Sequence, residues 1–99
     1  MNARDELKEI VGTLEIKCAR IYSEQNDRLY LLRDGHTQDE LNAFYQSLNF
    51  SYDNGYGGQE LYGIVWLKDG TWLERGEYDG SEWWEHRALP EIPDELKGV

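Results

Sequence analysis

Apolar positions along the first third of the chain carry two periods at once. Leu7, Val11, Leu14, Cys18 and Ile21 recur at intervals of four and three, the step of a helix, whereas Leu14, Ile16 and Cys18 alternate, the step of a strand. Gly12 and Thr13 interrupt the first pattern. The reading that reconciles them is a short helix over 3–11, a strand over 14–22, a polar turn "SEQND" and a return strand "RLYLLR" over 28–33, making an N-terminal hairpin.

The next element has clearer ends. In "DGHTQDELNAFYQSL", Thr37 stands three residues before Glu40, the spacing of a capping box, and Asp39 and Glu40 complement the positive end of a helix dipole. Leu41, Phe44, Tyr45 and Leu48 then share one face, which predicts a helix over about 38–48 lying on an apolar surface. "NFSYDNGYGGQ", residues 49–59, combines glycines with Tyr52 and Tyr56 and predicts an irregular loop with aromatic anchors.

In the last third, "WLKDGTWL" and "GEYDGSEWW" each set Asp-Gly between strand-like runs, the signal for a two-residue type I′ turn. Two such turns predict a three-stranded antiparallel meander over about 60–68, 71–78 and 81–88. Two-residue loops set the register: Leu67 opposite Trp72, Val65 opposite Glu74, and Tyr78 opposite Ser81. Trp83 then lines up with Gly76 and Gly63, and Trp84 with Arg75 and Ile64, so the adjacent tryptophans serve opposite faces and Arg75 can stack on the Trp84 ring. The same register opposes Glu74 to Glu85 and Glu77 to Glu82, like-charge pairs that oppose strand pairing unless Arg75 and Arg87 relieve them. Whether those pairs reflect function or a register error stays open at this level. Pro90 and Pro93 end the strand pattern, with Ile92 and Leu96 expected to tuck the tail against the body.

The expected fold is therefore α+β: one domain over 1–99 with an antiparallel sheet, its C-terminal meander, the N-terminal hairpin and the 38–48 helix. Composition sharpens the picture. Net charge is −10, and residues 35–99 hold thirteen acids against four bases, so the field repels phosphate backbones and favours basic partners. Direct binding to nucleic acid or an anionic membrane is not expected, and neither is a membrane-spanning segment.

Candidate chemistry is sparse. Cys18 is the only cysteine, and with His36 and His86 it makes no zinc set; no G-x-S-x-G elbow or phosphate-cradling loop is present, and no cofactor is expected. The asymmetric placement of Asp53 and Asn54 does not match a calcium loop. A carboxylate-based hydrolase would have to use Glu77, Glu82 and His86 between Trp66 and Trp84, a platform with little depth. Binding by surface is the stronger reading, with Tyr56, Arg75, Glu77, Asp79, Glu82, Trp84 and Glu85 as the residues that meet a basic partner. A homodimer through an apolar sheet face is the alternative.

"GYGGQELYG", "DGTW", "RGEYDGSEWWE" and "PEIP", over about the last two-thirds of the chain, resemble small acidic accessory proteins of tailed bacteriophages and prophages of enteric bacteria. The resemblance implies a cytoplasmic setting in a bacterial host and, by class, a protein that binds and modulates a nucleic-acid-handling host protein, either as an anti-defence factor or by imitating nucleic acid. It carries over no catalytic or binding residue.

Overall fold

The computed structural model describes residues 1–53, 55 and 58–98. Two helices, α1 (Ala3–Val11) and α2 (Gln38–Ser47), lie on one face of a five-stranded antiparallel sheet made of β1 (Ile16–Ser23), β2 (Arg28–Leu32), β3 (Leu61–Leu67), β4 (Trp72–Tyr78) and β5 (Ser81–Arg87). Strand order is β2–β1–β3–β4–β5, so the N-terminal hairpin joins the meander through the β1–β3 pairing and β3 is central. The fold is α+β, as the patterning predicts.

Local chemistry explains the helix ends. Asn2 caps α1 by accepting from the Asp5 amide, and Gly12 closes it with φ of 58°. Thr37 and Glu40 form the predicted capping box on α2. Each helix then lays one stripe on the sheet: Leu7 and Val11 from α1, Phe44 and Leu48 from α2, with Leu41 and Tyr45 half-buried beside them. The sheet meets them with Ile16, Ala19, Ile21, Tyr30, Leu32, Val65, Leu67, Leu73 and Trp84. An irregularity between Ile16 and Cys18 resets the alternation of β1, so Cys18 lies half-buried opposite Trp66 and not in the core where the strand pattern placed it.

The two Asp-Gly turns differ. Asp79 and Gly80 both take positive φ, 52° and 86°, as a type I′ turn requires, and Tyr78 pairs with Ser81 as expected. In the first turn only Gly70 does, at 88°, and Leu67 donates its amide to the Thr71 carbonyl, leaving a three-residue loop of Lys68, Asp69 and Gly70. That extra residue moves the β3–β4 register by one: Val65 faces Leu73 and Trp66 faces Trp72. Since a one-residue slip exchanges the faces, the expected rows joining Trp83 to Gly63 and Trp84 to Ile64 do not form. The β4–β5 half stands as read: Trp83 faces Gly76, where an added Cβ would lie 2.8 Å from the indole nitrogen, and Trp84 faces Arg75.

Gly63 has a different task, because a Cβ there would come within 2.3 Å of the Arg20 carbonyl oxygen of the adjoining strand. The tail also departs from expectation: Leu89, Ile92 and Leu96 are 78%, 58% and 72% exposed, so the segment does not pack on the body.

Candidate interaction surface

Antiparallel pairing brings three connections to one end of the sheet: the β1–β2 turn, the segment that enters β3, and the β4–β5 turn. The Glu24 amide donates to the Glu60 carbonyl at 2.8 Å, and the Gln25 side-chain amide donates to the Ser51 carbonyl at 3.1 Å. These connections carry Glu24, Asp27, Asp53, Glu60 and Asp79, with Glu77 near the end of β4 beside them, against Arg28 at the start of β2. The Asp27 carboxylate accepts from the Tyr22 hydroxyl at 2.7 Å, and that bond, with the nearby negative charge, pushes the Tyr22 phenol up to about 12. The bond between the Glu24 amide and the Glu60 carbonyl holds those two residues side by side.

Of the residues assigned to partner contact from sequence, Glu77, Asp79 and Glu85 are exposed, and Glu77 and Asp79 stand at this acidic end. Arg75, Glu82 and Trp84 come together elsewhere, under α1. The Arg75 side chain is 1% exposed and the Glu82 side chain is fully buried. The register slip is the physical reason: it places Arg75, Glu82 and Trp84 on the same face as the core residues of β3. Tyr56 lies outside the described residues.

Hydrogen bonds interlock Arg75 and Glu82 with Glu6 and Tyr52, while the buried Trp84 indole nitrogen has no partner among the described residues. Arg75 donates from Nη2 to Glu82 at 2.8 Å, from Nε to the same oxygen at 3.1 Å, and from Nη1 to Glu6 of α1 at 3.1 Å. It also donates to the Tyr52 hydroxyl, which in turn donates to Glu6. Glu82 accepts from the backbone amides of Glu60 at 2.6 Å and Leu61 at 2.9 Å, occupying the edge of β3 where pairing with β4 has lapsed. The guanidinium also lies 5.1 Å from the Trp84 ring centre and 5.5 Å from that of Tyr52.

Burial alone would lower the basicity of Arg75, but the Glu6 charge and the Glu82 hydrogen bond raise it above its ordinary value. Burial and the bond donated to Glu6 push the Tyr52 phenol well above its usual range, against the lowering effect of Arg75. Beside the group, Glu6, Glu9, Ile10, Trp83 and Trp84 line a cleft of about 410 Å³. Glu6 is already engaged there by Arg75 and Tyr52, and this arrangement ties α1 to the sheet.

Sequence reasoning missed Glu6, Tyr52, Glu24, Asp27 and Glu60. Their roles depend on the β1–β3 pairing and on α1 lying over β4 and β5, contacts far apart in the chain; the only local signal was Tyr52 as an aromatic anchor in the loop. The hydrolase platform does not assemble, because Trp66 lies on the sheet face opposite Glu82 and Trp84. Among the described residues no three metal-ligating side chains converge, and no helix is long and apolar enough to cross a membrane.

Among the described residues no helix lies on the opposite sheet face. Tyr22, Tyr62, Ile64, Trp66, Trp72 and Trp83 lie on it with Leu29 and Leu31, and Tyr62, Trp66, Leu29 and Leu31 are each at least 40% exposed. No family model, curated protein or solved structure matches this chain.

Proposed function

We propose that the protein is a binding module of phage or prophage type whose acidic end engages a basic surface on a nucleic-acid-handling host protein and modulates it. The observation that carries the reading is the gathering of Glu24, Asp27, Asp53, Glu60, Glu77 and Asp79 toward one end of the sheet, where Glu24 and Glu60 are joined through the backbone, in a chain of net charge −10. Such an end attracts a basic groove over distance and holds its charges in fixed positions on contact. Proteins that handle nucleic acid carry such grooves, since they must neutralise phosphates. The phage setting rests on the resemblance of the last two-thirds of the chain.

The test is capture of the tagged protein's partner from an enteric bacterial lysate, washed through a salt series, beside a variant in which E24Q, E60Q, E77Q and D79N are combined. Each substitution removes charge and keeps a hydrogen-bonding oxygen, and asparagine tolerates the positive φ of Asp79. The expected result is a basic protein held at low salt, released as screening rises, and not held by the variant. Equal retention by the variant overturns the assigned end.

A further inference from the structure

We infer that the uncovered sheet face is a two-fold interface with a second copy of this chain. The inference is independent of the acidic end and uses none of its carboxylates.

Three rows of side chains cross that face. One runs Leu29, Tyr22, Tyr62; the next Leu31, Arg20, Ile64, Glu74, Glu85; the third Cys18, Trp66, Trp72, Arg87. The middle row is antisymmetric in charge about β3. Arg20, on β1, is exposed and has no ion pair among the described residues. Glu74 and Glu85 lie on the other side, sharing the single cation Arg87 at 3.6 and 3.4 Å. One side is left positive and the other negative.

That pattern selects one way of stacking two copies. A two-fold axis parallel to the strands and over β3 turns β1 onto the partner's β4, which sets Arg20 against Glu74 of the second copy, twice. The same axis stacks Tyr62, Ile64 and Trp66 against their own counterparts, so the largest apolar side chains meet at the centre and the ion pairs flank them. An axis across the strands would instead set Arg20 near its own copy and Glu74 near its own, a like-charge arrangement. Charge complementarity therefore names both the occupant and its orientation.

The area suffices. Five strands at about 4.8 Å spacing and seven residues at about 3.4 Å give a footprint on the order of 500 Å² in projection, more when side-chain relief is included. Standard interfaces bury about 800 Å² per partner, which this face approaches if it is covered whole. Aligned packing of two sheets, turned by about 30° through their twist, is a common geometry.

The experiment is sedimentation equilibrium of the full chain from micromolar to millimolar concentration, with R20E, E74R and the double variant R20E/E74R. All altered positions are surface sites, and far-ultraviolet circular dichroism checks that each variant is folded. The wild type is expected to show a monomer–dimer equilibrium. Each single reversal weakens it about tenfold at each of two symmetry-related contacts, about a hundredfold in all, and the double variant recovers most of that loss because the pair is re-formed with its signs exchanged. Cys18 supplies a readout without substitution, since its thiol sits in the third row and a bulky maleimide should react more slowly as concentration rises. A wild type that stays monomeric throughout, single reversals without effect, or a double variant as weak as the singles would each overturn the inference.

Discussion

Arg75 shows how a residue read as part of a surface becomes part of the frame. Its guanidinium lies against the rings of Trp84 and Tyr52 and is joined to Glu6 of α1 and Glu82 of β5, so two carboxylates depend on one cation. A buried pair contributes little net stability relative to an apolar replacement of both members, but removing one member leaves the other charged and unsolvated. R75M should therefore cost about 3–5 kcal/mol in urea denaturation. E82Q keeps one oxygen, for Arg75 and the Leu61 amide, and loses the charge and the acceptor of the Glu60 amide, but it leaves Arg75 paired with Glu6, so its cost should be smaller, about 1–3 kcal/mol. The reverse ranking would mean that the backbone contacts of Glu82, and not the arginine, hold the group. The same pairing explains how the sheet tolerates two opposed carboxylate pairs. Arg75 neutralises Glu82 beside Glu77 on one face, and Arg87 bridges Glu74 and Glu85 on the other.

At the scale of elements, the start of α2 was legible because its signal is local: Thr37 and Glu40 sit within one turn and bond each other's backbone. T37A should cost about 1 kcal/mol. The cap also has a pH signature. Hydrogen bonds from Thr37 hold the Glu40 carboxyl below its ordinary range, and bonds from the Thr71 amide and hydroxyl do the same for Asp69 in the β3–β4 turn. A depressed folded-state value means the stabilisation is complete above the ordinary carboxylate pKa and is lost as pH falls through the lower one. Acid titration of wild type and E40Q should then draw together below pH of about 4, because the variant lacks the charged carboxylate that accepts from the Thr37 amide at 3.1 Å; parallel curves would refute the coupling. The β3–β4 register was not legible from the turn alone. Asp-Gly occurs twice, yet Asp69 accepts from Thr71 and leaves Gly70 as the only left-handed residue, while Asp79 joins Gly80 in that region. The apolar pattern did contain the answer, since only the three-residue loop puts Leu73 beside Val65 in the core. The burial of Glu82 and Arg75 followed from that one residue, which is why the meander was predicted closely and the residues on its faces were not.

Across the whole molecule, one sheet face is covered by two helices, the other carries no helix among the described residues, and six carboxylate-bearing residues gather toward one end. Residues 88–98 stand apart from all three. Leu89, Ile92 and Leu96 point largely into solvent, and the backbone hydrogen bonds of the short 3-10 turn, from Leu96 to Pro93 and from Lys97 to Asp94, are local. An apolar side chain contributes to folding in proportion to the area it removes from water, so three that remain mostly wet contribute little. Deletion of residues 89–99 should accordingly leave the urea midpoint within about 0.5 kcal/mol of the full chain, the range of surface changes that touch nothing. It removes Glu91, Asp94, Glu95 and Lys97, taking net charge from −10 to −8 while sparing every carboxylate of the acidic end. Partner capture by that end should then survive deletion nearly unchanged, because long-range attraction falls only slightly with total charge whereas fixed contacts stay in place. A large loss of stability would show that Ile92 or Leu96 packs on the body after all. A loss of capture at full stability would move the binding surface from the turns to the tail, whose exposed leucines and acids would then be its contacts.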